Sequence, residues 1–282
     1  MIVQSSPAEV LKAIRAARRA GKTVGCVPTM GVLHAGHVSL VERARTECDF
    51  VVGTIFVNPT QFGPNEDFSK YPRTLEADLE MCRHAGADLM FTPQTASMYS
   101  GDAQTIVRVT KLATVLEGAH RPGHFDGVST VVTKLFNITE PDRAYFGQKD
   151  YQQQLIIRRM VVDLDQPVEI VTCPIVREAD GLAMSSRNRY LSTEERSRAG
   201  QISQALRLAQ QSAGEPQLLP QEIAGRMVAH LESIAGIELQ YAVIADTQTL
   251  EPLVDRTGQG VALIAARVGT TRLIDNEVLQ FR

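Results

Sequence analysis

Two of the six histidines in this 282-residue chain stand three apart in "PTMGVLHAGH", residues 28 to 37, directly after the apolar run "TVGCV". His34 and His37 admit three readings: hydrogen-bonded core residues, metal ligands, or donors to a phosphate. A metal would be short of ligands, because no cysteine or carboxylate lies beside the pair. A strand that turns into a helix favours phosphate. Pro28 and Gly31 can bend the chain there, and Gly36 lets the backbone come close to a ligand before "HVSLVERAR" starts as a helix. Such a helix start offers unpaired N–H groups and a partial positive charge.

Other donors are spaced along the chain. Lys149 in "GQKD" follows the apolar run "RAYF", and Ser185, Ser186 and Arg187 in "MSSRN" form a polar loop ahead of a helix. Their alternatives are a solvated surface lysine and a simple helix flank. Gln153 follows Lys149 by four, which would put both on one face of a helix beginning near Asp150.

Familiar nucleotide and nucleophile motifs fail. "AGKT" at 20 to 23 has alanine at position 16, where a P-loop needs its first glycine, and it precedes a strand instead of following one. No GxGxxG follows a strand, and no GxSxG elbow is present. In "HRPGH", Pro122 and Gly123 separate His120 from His124, so the pair is not a helical zinc site.

The elements that must position these groups alternate. Val-, Ile- and Phe-rich runs at "TVGCV", "DFVVGTIFV", "DLMFT", "TIVRV", "RAYF" and "VEIVT" read as strands, separated mostly by stretches of helical period. This order predicts a Rossmann-like doubly wound parallel sheet covered on both faces, with ligands at the carboxyl ends of the strands. The pattern changes after about Pro174. A capping box from Ser192 to Glu195 opens a long helix, a second helix follows the "SAGEPQ" break, and the tail reads as a short antiparallel sheet turning at Gly269 and Thr270. The expected division is residues 1–175, a Rossmann-like domain, and residues 176–282, a smaller α+β domain.

A net charge of −3 argues against a dedicated nucleic-acid or anionic-membrane binder, and no apolar stretch approaches the roughly 20 residues of a membrane span. The N-terminus is basic and periodic where a signal peptide would be apolar. Four scattered cysteines, Cys26, Cys48, Cys82 and Cys173, form no CxxC pair, which fits a reduced, cytoplasmic enzyme without structural zinc.

HxGH after a first strand resembles the nucleotidyltransferase superfamily that includes the class I aminoacyl-tRNA synthetases. The order and spacing of "PTMGVLHAGH", "IFVNPTQFGPNEDFSKYPRT", "EGAHRPGHFDGVSTVVTKLFNI", "FGQKDYQQ" and "MSSRNRYLS" narrow this over nearly the whole length to a resemblance to the pantoate–β-alanine ligase family. Arg187 stands where the synthetases' mobile loop has lysine, and Ala35 and Gln148 replace residues often acidic in relatives. The rivals are an adenylyltransferase of the phosphopantetheine or nicotinamide type, which should not need "FVNPTQFG", and a non-catalytic nucleotide-binding module.

The resemblance implies two steps. Pantoate's carboxylate attacks ATP to give pantoyl adenylate and pyrophosphate, and the amine of β-alanine then displaces AMP to form an amide. It implies catalytic roles for His34, His37, Lys149, Ser185, Ser186 and Arg187. ATP would be contacted by these residues together with Met30, Gly31, Val32, Leu33, Ala35, Gly36, Gly147, Gln148, Asp150, Val176 and Met184. Pantoate would meet Gln61, Gln153, Asn58, Pro28, Met30, Val131 and Val132; for the two valines helix core is an equal alternative. Tyr71 falls near the β-alanine end. Magnesium is expected with ATP, with Asp78 as a candidate carboxylate, and the resemblance also implies a homodimer. Because a mixed anhydride hydrolyses in a wet site, closure is expected, by the proline- and glycine-punctuated stretch "NPTQFGPNEDFSKYP" and by the C-terminal domain acting as a lid.

Overall fold

Short apolar runs pair as a parallel sheet because the crossovers between them are long enough to be helices. The computed structural model describes residues 1–63 and 68–281, so residues 64–67 of the expected flap lie outside the described residues. In chain order come β1 (Ile2–Gln4), α1 (Pro7–Arg19), β2 (Val24–Thr29), α2 (Ala35–Glu47), β3 (Phe50–Ile55), α3 (Leu75–His84), β4 (Leu89–Phe91) and the short α4 (Thr95–Met98). There follow α5 (Glu117–His120), α6 (His124–Thr139), β5 (Arg143–Gly147), α7 (Tyr151–Asp163) and β6 (Glu169–Cys173). Among the described residues the sheet has six strands in the order β1-β4-β3-β2-β5-β6, all parallel. The chain winds one way from β2 through β3 and β4, then returns to β5 on the other side of β2. The crevice outside the carboxyl ends of β2 and β5 is therefore the switch point where such sheets take ligands.

Helices cover both faces. Val27, Val51 and Tyr145 pack with Leu40, Val41 and Ala44 of α2. One residue earlier, Cys26 turns the other way, towards Thr139 of α6, and burial pushes its thiol up to about 12. All four cysteines are buried free thiols.

Three local expectations are corrected. Residues 105–109 ("TIVRV") form no strand. The Val107 N–H bonds the Thr130 hydroxyl at 3.0 Å, Arg108 pairs with Asp126, and Ile106 is 65% exposed, so α6 takes the bonds a neighbouring strand would have taken. Pro28 is no bend: it lies inside β2 opposite Thr54. The α2 helix begins at Ala35, which places Gly36 in its first turn instead of ahead of it.

The chain forms two compact units, Met1–Gln148 with Gln152–Pro174, and Lys149–Tyr151 with Ile175–Arg282. In the second, β7 (Ile237–Asp246), β8 (Gln259–Val268) and β9 (Thr271–Gln280) make an antiparallel sheet in sequence order. It is covered by α8 (Thr193–Ser212) and α9 (Pro220–Glu232), whose Ile202, Leu206, Ile223 and Met227 meet Ile264 and Leu279. The capping box is complete: the Glu195 N–H reaches the Ser192 hydroxyl at 3.3 Å, and the Ser192 N–H reaches the Glu195 carboxylate at 2.8 Å. Gly269 turns between β8 and β9 at φ 59°, a left-handed conformation that favours glycine, and a Cβ there would press on the end of the Glu195 side chain.

Replacing a capping serine with alanine typically costs about 1 kcal/mol. Ser192→Ala is expected to lose about that much in urea unfolding, with Ser192→Asp, which still accepts the Glu195 N–H, close to the parent protein.

Candidate active site

The chain leaves β2 through two consecutive left-handed residues, Gly31 at φ 84° and Val32 at φ 54°. For a β-branched residue this is strained, on the order of 1–3 kcal/mol. It turns successive N–H groups the same way, a concavity suited to an anion. The anion is Asp78 of α3: its carboxylate accepts the Val32 N–H at 2.9 Å, the Leu33 N–H at 2.8 Å and the Thr74 hydroxyl at 3.1 Å. Charge-assisted bonds of roughly 1.5–3 kcal/mol each suffice to hold the strained turn. Asp78, the candidate magnesium carboxylate, is 2% exposed and engaged as the anchor of this loop, and the N–H groups of Val32 and Leu33, within the stretch expected to contact ATP, bond its carboxylate.

Beyond this turn His34 caps α2, its Nδ1 accepting the Gly36 N–H at 3.2 Å. In the neutral ring the proton then sits on Nε2, making that atom a donor. One turn on, His37 brings its ring to 4.1 Å from that of His34, centroid to centroid. The two histidines therefore meet at a helix N-terminus, at the carboxyl end of β2.

At the end of β3, Gln61 sits in a one-turn 3₁₀ helix, Pro59–Gln61, and is 8% exposed. Its Nε2 faces the Met30 sulfur at 2.8 Å, a weak acceptor, so the amide keeps donor capacity for a better one. Asn58 has no such capacity. It donates to Gln61 Oε1 (3.2 Å) and Gly127 O (3.1 Å), and accepts from Tyr99 (2.9 Å) and from the Thr60 hydroxyl (3.0 Å). Asn58, expected to contact pantoate, thus supports the turn that carries Gln61. Burial pushes the Tyr99 hydroxyl up, against the bonds to Thr60 and Asn58, which keeps it a donor. Two further supports are absent from the sequence-derived set. His124 Nδ1 bonds the Gln61 carbonyl at 2.8 Å, and a Cβ on Gly127 would lie 2.4 Å from Thr60 O, so only glycine lets α6 approach this turn.

Gln153 is half-buried in the first turn of α7 and makes no hydrogen bond among the described residues, whereas its neighbour Gln152 is fully engaged with Leu112 O, Val115 O and Glu117 N. Val131 and Val132, 5% and 4% exposed on α6, leave little surface to a ligand. Pro28 and Met30 are half-buried, and Tyr71 is buried edge-on to Phe62 at 5.8 Å. An open cleft of about 310 Å³ at the ends of β3 and β4 is lined by Met30, Phe56, Arg73 and Gln94 among others, but by neither histidine.

The second unit holds the remaining donors. Lys149 lies in a 3₁₀ turn, Gln148–Asp150, before α7 begins, so it does not share a helical face with Gln153 as expected. Residues 176–184 form a hairpin, with the Met184 N–H on Val176 O at 2.9 Å. Residues 185–187 are no open loop. Ser185 caps a 3₁₀ helix, Ser186–Tyr190, through the Arg187 N–H, which leaves its own hydroxyl proton to donate. Asn188 fixes this turn by bonding Glu178 (2.7 Å) and Ala183 O (3.1 Å). Arg196 of α8 bridges Glu178 and Asp180. Its hydrogen bond holds Asp180 below the usual carboxylate range; at Glu178 burial pulls upward, but Arg196 and Asn188 outweigh it. Gly147, at the end of β5, opens on empty space, and Asp150 is exposed.

Comparison with known proteins agrees over the full length. The model of the family described as pantoate-beta-alanine ligase matches residues 2–278. The pantothenate synthetase of Moorella thermoacetica is 52% identical over 97% of this chain and 96% of its own, and that of Acidobacterium capsulatum 55% identical over 92% and 86%. The crystal structure of pantothenate synthetase from Thermus thermophilus superposes with a TM-score of 0.93 at 46% identity, covering 98% of this chain and 99% of that one. The Francisella tularensis pantoate-beta-alanine ligase, crystallised with β-γ ATP and β-alanine, gives 0.80 at 34% identity, covering 99% and 97%.

Asp78→Asn removes the charge and aims an amide N–H₂ at N–H donors. The Val32 and Leu33 amides should lose at least ~10-fold of their hydrogen-exchange protection, the scale of one charge-assisted bond. Unchanged protection together with a shifted magnesium requirement would return Asp78 to the metal.

Proposed function

Because the chain belongs to the pantoate-beta-alanine ligase family, we propose that the histidine pair at the end of β2 is the centre where it activates pantoate with ATP. The overall reaction is the ATP-dependent condensation of pantoate with β-alanine to pantothenate, with release of AMP and pyrophosphate. Pantoate's carboxylate attacks the α-phosphorus, pyrophosphate leaves, and the β-alanine amine then attacks the acyl carbon of the adenylate, expelling AMP and losing a proton. Such transfer depends chiefly on orientation and on neutralising charge as it develops on phosphate oxygens.

The observation that carries the reading is the convergence of His34 and His37 on a capped helix start, with His34 fixed in the tautomer that donates from Nε2. We assign these two histidines, and from the second unit Lys149, Ser185, Ser186 and Arg187, to the phosphate oxygens. Gln61 and Gln153 are assigned to pantoate, since each retains amide capacity that its neighbours Asn58 and Gln152 lack. Magnesium is proposed to arrive on the triphosphate, keeping its waters. No three His, Cys, Asp or Glu side chains converge as a metal cage among the described residues. A cytoplasmic location is proposed from the four buried free thiols, and a homodimer from the family resemblance.

Pyrophosphate release measured with ATP plus pantoate, against ATP plus phosphopantetheine, tests the reaction; release only with the second would move the chain to the adenylyltransferases. Within that assay His34→Ala, His37→Ala and Lys149→Ala should each slow adenylate formation ~100-fold or more, as for lost oxyanion donors, with pantoate binding much less affected. A His37→Ala protein releasing pyrophosphate normally would remove the histidines from the phosphates.

Gln61→Ala and Gln153→Ala leave a pantoate group without its buried partner, at about 1–3 kcal/mol each. The KM for pantoate should therefore rise well above any change in that for ATP. Equal changes in both would point to general damage instead.

A further inference from the structure

Lys149 is separated in sequence from the C-terminal sheet by dozens of residues, yet its backbone is held there. Asn276, on β9 and 1% exposed, donates from Nδ2 to the Lys149 carbonyl at 2.9 Å. Two residues on from the lysine, the Tyr151 hydroxyl donates to Thr247 O at 3.0 Å, just beyond β7. The tripeptide Lys149–Tyr151 is thus tied at both ends to the second unit, which is why it belongs there although β5 and α7 flank it.

Asn276 is itself braced. Its N–H bonds Asp275 Oδ1 at 2.8 Å, and Arg177 grips both oxygens of that buried carboxylate at 2.6 and 3.2 Å. Arg177 also bonds Gly181 O at 3.1 Å, within the hairpin that runs into Ser185. One buried network therefore joins the backbone of Lys149 to the hairpin that carries Ser185, Ser186 and Arg187. Long side chains act on phosphates only if their stems are fixed, because a misplacement of about 1 Å can cost ~100-fold in rate.

We propose that Asn276, with the Tyr151 hydroxyl as the second tie, is a positioning residue that sets Lys149 for the adenylate-forming step. The inference rests on the reading that Lys149 serves the triphosphate.

The test is a double-mutant cycle on the full-length protein, following pyrophosphate release from ATP and pantoate in a single turnover, and separately amide formation from pantoyl adenylate and β-alanine. Asn276→Ala should slow pyrophosphate release ~10-fold or more and leave the KM for pantoate and the amide-forming step within about twofold. In a Lys149→Ala background the same substitution should cost almost nothing further, since a residue acting through the lysine has no route left. Tyr151→Phe, which opens no cavity, should show the same dependence with a smaller loss, and carries the test if Asn276→Ala does not fold. If Asn276→Ala, or Tyr151→Phe in its place, slows release by the same factor with and without the lysine, or slows both steps alike, the positioning role is overturned while the function stands. No effect of either variant on release also overturns it. If Lys149→Ala alone leaves release unchanged, the assignment of the lysine fails, and this inference with it.

Discussion

A buried carboxylate bonded to two backbone N–H groups holds the turn on which the rest of the site depends. The left-handed pair Gly31 and Val32 turns the Val32 and Leu33 N–H groups the same way, and Asp78 accepts both from the first turn of a different helix. With the turn in place His34 falls at the cap of α2, its Nδ1 is engaged, and His37 comes round to meet it. The concavity would itself attract an anion. Here it is filled from within, by the protein's own carboxylate.

The same distinction, between polar groups engaged in building and those with capacity left, runs through the first unit. Asn58 and Gln61 stand in one turn, but the asparagine has donors and acceptors matched while the glutamine faces a thioether. Gln152 and Gln153 are adjacent in α7; one closes the loop at 112–117 and the other bonds nothing described. Burying a polar group costs little when its bonds are made and about 1–3 kcal/mol when they are not. Gln61 and Gln153 are the half-matched members of these two pairs, and that difference is what the assignment of both to pantoate rests on.

Periodicity and turn chemistry made most of the fold legible, because each strand and long helix buries a face that its own residues declare. The capping box at Ser192 was legible for the same local reason. Residues 105–109 misled because alternating apolar residues give a strand only where an edge is free to pair, and here Thr130 and Asp126 took the backbone and the arginine. The anchoring role of Asp78 and the supporting roles of Gly127 and His124 escaped because their partners lie 46, 69 and 63 positions away, beyond any pattern of spacing. The meeting of His34 and His37 was legible because theirs is a short-range signal: two rings, one glycine and one helix start.

Contact, not sequence neighbourhood, decides which part of the fold governs a residue, and "FGQKDYQQ" makes the point within a few positions. Gly147 and Gln148 end with the parallel sheet, Lys149–Tyr151 pack with the antiparallel one, and Gln152 returns to the first unit. Two hydrophobic cores thus share one short stretch. A change in the packing of β9 reaches the lysine's backbone through Asn276, whereas a change beneath α7 reaches Gln153 without passing through that bond. The group assigned to phosphate and the group assigned to pantoate can therefore be adjusted separately although they are near neighbours in the sequence. That separation follows from where their hydrogen bonds end.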